Sequence, residues 1–226
     1  MMQEIEIPRE VPVMTLSSAV LFPQAIMPLH IFEPRYREML QQVLAKDRIF
    51  AVAALDESTD TARETETPHT IAGIGIVRAC RTNPDGTSNL LLQGLARVEF
   101  EAIITESPFR TARIRQLFSV PGGSLDLMDS IQPDIISLVQ AQINLGAPIP
   151  KEVIQFLHSI YEAECMLDLA ISTLCHKSQL KQELLETRGI LPRYERFRKF
   201  LRSEINRLKL ERDLRGGLDD DAISHN

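Results

Sequence analysis

Residues 28–40 read Pro28-Leu-His-Ile-Phe-Glu-Pro-Arg-Tyr-Arg-Glu-Met-Leu40 and carry a strand directly into a helix. Residues 25–32, rich in Ile, Met and Leu, form the strand. Pro34 supplies a preset φ at the first helical turn, where a missing N–H costs nothing. Tyr36, Met39, Leu40, Val43 and Leu44 recur at helical spacing, so 34–45 is predicted as a helix with one buried stripe. His30 and Phe32 alternate with Leu29 and Ile31, and only one of these pairs can face the core.

The polar residues of this stretch each have a structural and a functional reading. His30 anchors a strand end, or contacts a ligand in a peptide groove. Glu33 lies at the positive end of the helix, where it caps the helix or pairs with Arg37. Arg35 and Arg37 point outward from the first turn, toward ion pairs within the domain. Tyr36 belongs to the core. Arg97, further along the chain, is expected to tie its strand to this helix start. His30, Glu33, Arg35, Tyr36 and Arg97 are therefore the candidate motif or binding residues, and none is assigned a catalytic role.

Outward from this centre, short β-like runs dominate as far as residue 119. Residues 11–16 form a strand, and Leu21-Phe-Pro23 suggests a strand interrupted by a bend, because proline cannot donate to a ladder. Ile49-Phe-Ala-Val-Ala-Ala-Leu55 is a continuous apolar run, expected to be covered on both faces. Residues 56–70 lack apolar periodicity and read as a solvated loop. Gly73-Ile-Gly-Ile-Val-Arg-Ala-Cys80 restarts a strand, and Asn83-Pro-Asp-Gly86 turns it into Leu90-Leu-Leu-Gln93. Gly94 is expected to break that strand before residues 96–104, and 109–117 supply the last one. Such a series suggests a small barrel or sandwich.

Beyond the Val120-Pro-Gly-Gly-Ser124 linker the period becomes helical. Residues 125–144 carry Leu127, Ile131, Ile135, Leu138 and Val139, with Pro133 in the first turn. Residues 151–175 are expected to form one amphipathic helix, with Val153, Phe156, Leu157, Ile160, Tyr161, Leu167 and Ile171 on its apolar face. Further helices cover 178–187 and 192–214, and the tail 216–226 is expected to be disordered.

Several of these runs together resemble the LON substrate-binding domain, the N-terminal module of Lon-type ATP-dependent proteases. The likeness covers roughly residues 8–210. It is best in the order Leu21-Phe-Pro23, then His30-Ile-Phe-Glu-Pro-Arg-Tyr36, a helix and an apolar strand. A second part is Gly73-Ile-Gly-Ile-Val77 followed by Leu90-Leu-Leu-Gln-Gly-Leu-Ala-Arg-Val98. Gln24 departs from the pattern, since many members have glycine after Leu-Phe-Pro. The resemblance implies an α+β fold: an N-terminal PUA-like β pseudo-barrel with one early helix (1–119), followed by a C-terminal α-helical bundle (120–215). It also implies that the ligands are unfolded or extended polypeptide segments, or a partner protein.

The chemistry of the full enzymes is not in this sequence. A phosphate-cradling loop needs glycines followed by Lys and Ser or Thr, and none of the ten glycines precedes a lysine. Gly122-Gly-Ser-Leu-Asp126 is not a G-x-S-x-G elbow. The five histidines never form the i, i+4 pair of a zinc helix. Glu66-Thr-Pro-His69 has a carboxylate–histidine spacing but sits in loop-like sequence around Pro68. Glu164 and Asp168 would share a helix face and could do acid–base work, or simply repel mildly on a solvated surface. Cys165 and Cys175 read as small buried hydrophobes. No metal and no cofactor is expected, the chain is short for an ATPase and a protease, and it is expected to act as a stand-alone, non-catalytic binder.

Bulk properties bound the setting. The 226 residues are 44% hydrophobic, enough for a sizeable core. A net charge of −6 argues against a general nucleic-acid or membrane-surface binder. No apolar run approaches the roughly 18 residues of a membrane span. The N-terminus lacks a basic region followed by an apolar stretch. Three cysteines without a CxxC pair fit a reducing cytoplasm. One local exception remains. Residues 188–215 hold ten Arg or Lys against four Asp or Glu, so this segment is +6 and the rest of the chain −12. A basic helix beside a PUA-like barrel leaves RNA binding as the rival reading, against a solvated face that pairs with acidic helices.

Overall fold

The computed structural model describes residues 5–56 and 67–216. Among them, β1 (Glu10–Leu16), β2 (Ile26–Ile31), α1 (Pro34–Leu44), β3 (Ile49–Ala54), β4 (Ile71–Thr82), β5 (Ser88–Thr105) and β6 (Arg110–Leu117) come first. Then follow α2 (Leu125–Asp129), α3 (Ile131–Asn144), α4 (Glu152–His158), α5 (Ala163–Leu174), α6 (Ser178–Glu186) and α7 (Ile190–Gly216). The strands form one mixed sheet in the order β2-β5-β4-β3-β1-β6. β1 and β3 are parallel, which requires a crossover, and α1 lies in that connection. The remaining pairs are antiparallel.

The length of β5 organises the sheet. Its first part, Ser88–Gln93, pairs with β2, and its second, Arg97–Thr105, pairs with β6. Since β6 also pairs with β1, the ladder β5-β4-β3-β1-β6 returns to β5. Two cores result. Val11, Val13, Ile49, Ala51, Ile74 and Val98 make one. The other joins the α1 stripe of Tyr36, Met39, Leu40 and Val43 to Met14, Phe50, Val52, Leu90 and Leu92. The period of two sends Phe50 and Val52 to one core and Ile49 and Ala51 to the other. That accounts for the unbroken apolar run of β3, which is buried throughout.

Gly94 does not end the strand. It sits at a register shift where Ile74 pairs with Ala96 and Gly75 with Gly94, so Leu95 is the extra residue of a bulge. The glycine is there for close approach. A Cβ on Gly94 would stand 2.0 Å from the carbonyl oxygen of Phe22, and one on Gly73 2.0 Å from that of Leu21. Leu21-Phe-Pro23 is thus not a strand but an irregular segment laid against β4 and β5, with Leu21 and Phe22 fully buried. Burying each such side chain contributes roughly 1.5–3 kcal/mol. Gln24 carries the bend at φ 63°, a conformation that favours glycine. Its N–H donates to Gly94 O (2.9 Å), which anchors the turn.

The Asn83-Pro-Asp-Gly86 turn forms as expected, with Gly86 at φ 80°. Asp85 accepts from the Thr87 N–H (2.9 Å) and hydroxyl (2.8 Å), and these bonds hold its carboxyl below the usual range. The expected helix over 151–175 is instead two, α4 and α5, separated at 159–162. Tyr161, expected in the core, is 98% exposed, and Phe156 is 45% exposed. Seven apolar positions fitted one helical face only because the break was not visible in their spacing. Leu127 likewise lies exposed on α2. The solvated-loop expectation for 56–70 falls largely on residues 57–66, outside the described residues, and the expected disordered tail lies outside them beyond Gly216.

The chain divides into two compact units. One takes the described residues up to Val120 together with Asp168–Arg188. The other takes Pro121–Leu167 and the chain from Gly189 onward. Apart from Val120, a single cut after residue 119 differs from this division in that the second part of α5 and all of α6 group with the sheet. The reason is a set of specific bonds from these helices to β4 and β5. Gln182 Nε2 donates to Ile71 O (2.9 Å), and Arg97 donates to both Asp168 and Leu185.

Candidate functional site

β2 is the edge of the sheet: it pairs with β5 on one side, and among the described residues no strand pairs with the other. Pro28 sits in its middle opposite Leu91. A proline is tolerated in a ladder where its nitrogen faces the open edge. The alternation of β2 turns Leu29 and Ile31 inward and leaves Ile26, Pro28 and His30 outward. Across the sheet, Pro28 lines up with Leu91 and Ala79, and His30 with Asn89 and Arg81. An apolar row therefore lies beside a polar one. Ile26 is 54% exposed, Leu91 44%, and Phe32, just past the strand end, 61%. Pro28, Leu29, His30, Cys80, Arg81 and Leu91 contribute to a shallow, mainly apolar pocket of about 440 Å³.

The residues singled out from sequence do not converge on one point. His30 is exposed; its Nδ1 lies 2.9 Å from Asn89 Oδ1 and its ring stacks at 6.0 Å on Phe32. Glu33 is the N-cap residue of α1 but makes no side-chain cap bond. It accepts from Arg35 Nε (2.9 Å), not from Arg37. The Arg35 guanidinium also lies over the Tyr36 ring, 4.5 Å from its centroid. Tyr36 is buried, and its hydroxyl both donates to Thr15 O and accepts from the Thr15 N–H (3.1 Å each), pinning α1 to β1. Of these four, only His30 takes part in the edge surface.

Arg97 serves a different tie from the one expected. Its guanidinium donates to Asp168 Oδ2 (2.8 Å) and Oδ1 (2.6 Å), and its Nε to Leu185 O (3.1 Å). Both partners are nearly solvent-free, at 3% and 1% side-chain exposure. Asp168 is thus not on a solvated face. Its burial was signalled by Met166, Leu167, Leu169, Ala170 and Ile171 around it, a setting that leaves a carboxylate no water and demands a cation. Glu164 is paired too, with the fully buried Arg193 (3.3 Å). Neither carboxylate is placed for acid–base chemistry.

Three arginines of the basic helix α7, Arg193, Arg198 and Arg207, meet carboxylates. Arg198 meets Asp134 (3.1 Å), and Arg207 meets Glu204 (2.8 Å) and Glu211. Tyr194, Phe197 and Phe200 are buried, so they offer no stacking platform. Tyr194 donates its hydroxyl to Asp134 (2.8 Å); burial, helped by that carboxylate, pushes its pKa up to about 12. Among the described residues no cluster of His, Cys, Asp and Glu could hold a metal, and no helix is long and apolar enough to cross a membrane. Sequence reasoning missed Ile26, Leu91, Asn89 and Arg81. The signal in Leu90-Leu-Leu92 was the lack of alternation: a strand with one wet face should carry a polar residue at 91.

Two solved structures share this architecture. The N-terminal domain of a Lon protease from the Mycobacterium avium complex gives a TM-score of 0.65 at 14% identity, covering 87% of this chain and 98% of that one. A Lon N-terminal domain protein from Xanthomonas campestris gives 0.57 at 16%, covering 83% and 96%. At such identities the likeness defines the class: an α+β domain with the mixed sheet of Lon N-terminal domains. The profile of the ATP-dependent protease La (LON) substrate-binding domain matches residues 10–203, and the chain belongs to that family. Lon proteases of Heliobacterium modesticaldum and Rhizobium meliloti are 25% and 26% identical over 206 and 204 residues, 91% and 90% of this chain. The chain spans about a quarter of the length of these curated relatives.

Proposed function

We propose that this chain is a non-catalytic module that binds extended or unfolded polypeptide segments, or a partner protein displaying one, along the outer edge of β2. One observation carries the reading. An edge strand that no second strand pairs on its outer side among the described residues lies beside exposed Ile26, Phe32 and Leu91. Backbone bonds at such an edge supply affinity whatever the sequence, and adjoining pockets select side chains. Pro28 limits the number of bonds on offer, which favours transient capture over permanent strand exchange. Membership of a substrate-binding family supports the same direction. In this reading His30 and its row contact the ligand, while Glu33, Arg35, Tyr36 and Arg97 hold the scaffold. The returning ladder with α1 serves as a PUA-like pseudo-barrel, and the later helices as a C-terminal bundle. Absence of any disulfide among Cys80, Cys165 and Cys175 fits a cytoplasmic setting.

The test is fluorescence anisotropy with a labelled, reduced and alkylated model protein that cannot fold. Saturable binding that short apolar peptides compete away is expected. Binding that is absent at all protein concentrations, or that survives a charge placed on the edge surface, overturns the reading.

A further inference from the structure

The outward face of β2 continues across two more strands. Asn89 of β5 stands opposite His30, and Arg81 of β4 stands opposite Asn89. All three are exposed, so a polar row runs from a cation on β4 to the open edge of β2. Two residues away on each strand lies the apolar row of Pro28, Leu91 and Ala79. Both rows line the same pocket.

The polar row is rich in donors and holds no anion. His30 Nδ1 lies 2.9 Å from Asn89 Oδ1. That oxygen only accepts, so Nδ1 donates and the Nδ2 hydrogens of Asn89 are left over. Neither Asn89 Nδ2 nor the Arg81 guanidinium has a hydrogen-bond or ion-pair partner among the described residues. An exposed arginine is ordinary by itself, because water solvates it. The second observation is the charge around it. The sequence holds 31 Asp and Glu against 25 Lys and Arg, yet β2, β4 and residues 88–98 of β5 contain no acidic residue. The acids nearest to them in sequence are engaged elsewhere: Glu33 accepts from Arg35, and Asp85 from Thr87. The surface that lies beside the open edge is therefore complementary to negative charge.

We infer that the polypeptide bound at β2 presents an acidic side chain to Asn89 and Arg81, two residues away from an apolar side chain seated on Pro28, Leu91 and Ala79. The spacing follows from the pleat: in an extended segment residues i and i+2 share a face, as the two rows do. A carboxylate accepts from amide and guanidinium together, and it suits the guanidinium best. The inference rests on the edge-binding reading and adds a preferred composition and register to it. Apolar contact supplies the hold, and the carboxylate selects.

The test is competition by short peptides against the labelled unfolded model protein, read by fluorescence anisotropy on the whole chain. Three peptides are blocked at both ends and carry, in a serine background, Leu-Ser-Leu-Ser-Glu, Leu-Ser-Leu-Ser-Gln or Leu-Ser-Leu-Glu-Ser. A fourth ends in Leu-Ser-Leu-Ser-Ser with a free carboxylate. Glutamate is used as the longer acid, because Arg81 stands two strands in from the edge. The Leu-Ser-Glu spacing should compete about three- to fivefold better than its glutamine counterpart, the size of one exposed ion pair. The adjacent glutamate and the free chain end should stay near the glutamine peptide. Arg81→Gln should bring the glutamate peptide down to the glutamine level. Should that variant not fold, the parent is assayed at low and high salt, where the glutamate advantage must shrink. Equal competition by glutamate and glutamine, an equal gain from the adjacent glutamate or the chain end, or an advantage that survives Arg81→Gln or high salt would each overturn the inference and leave the apolar edge standing. Failure of all four peptides to compete would instead remove the edge reading, and the inference with it.

Discussion

Arg97 of β5 and Asp168 of α5 face each other through two parallel hydrogen bonds of 2.8 and 2.6 Å, with almost no water on either side chain. The guanidinium also lies 5.7 Å from the centroid of the Phe22 ring, so the Leu21-Phe-Pro23 segment and the helices share one charged joint. Removing one partner strands the other charge in a dry site. Arg97→Ala or Asp168→Ala is expected to lose about 3–5 kcal/mol of stability. Urea unfolding measures it, and the double replacement Arg97→Met, Asp168→Leu should lose less than either single change. Equal or greater loss in the double variant would show that packing, not charge, dominates the joint.

The bend over β5 makes opposite demands at two positions. Gly94→Ala places a methyl group against the Phe22 carbonyl and should destabilise by about 1–3 kcal/mol. Gln24, at positive φ, should tolerate glycine to within about 0.5 kcal/mol, since relieved strain and lost chain stiffness nearly cancel. A β-branched residue there should lose about 1–2 kcal/mol. Thermal unfolding of the three variants separates these expectations.

Leu91→Asp puts a charge on an exposed edge surface that the core does not use. Stability should stay within about 0.5 kcal/mol of the parent. Affinity for the unfolded model protein should fall about tenfold, or 1.4 kcal/mol. Unaltered affinity would move the polypeptide site away from β2.

Tyr194 gives a pH signature. Its folded pKa of about 12 stands above the ordinary value of 10, so the folded state holds this proton more tightly than the unfolded one. The stability it contributes is complete below pH 10 and is lost as pH rises from 10 toward 12. Tyr194→Phe should flatten this part of the stability profile, read from urea midpoints. The tyrosinate absorbance that Tyr194→Phe removes should develop above pH 10.

The cations of α7 should not make an RNA site, because Arg193, Arg198 and Arg207 already meet carboxylates. Filter binding with single-stranded RNA should show only weak retention that vanishes on raising salt. Tight retention with a steep salt slope would restore the nucleic-acid reading.

Much of the fold was legible because its signals are local. Pro34 and the Tyr36–Val43 stripe mark α1, the unbroken run 49–54 marks a strand buried on both faces, and Asn83–Gly86 marks the turn. The errors share a cause. Locally Gly94 signals flexibility and hence a strand break, whereas its role in the fold is to admit the Phe22 carbonyl from a segment far earlier in the chain. The α4–α5 break leaves no mark in the apolar spacing, which records which residues can share a face, not whether the backbone continues between them.

The order of residues along this chain determined where strands and helices form and which family it joins, since propensity, turn chemistry and apolar period act within a few positions. Tertiary structure alone decided which surfaces are left open and which charges are taken. Arg97 finds Asp168, seventy-one positions away, β2 becomes an edge, and Gln182 is buried one donor short. Those outcomes depend on residues far apart in sequence competing for the same space and the same hydrogen bonds, and only the folded chain resolves that competition.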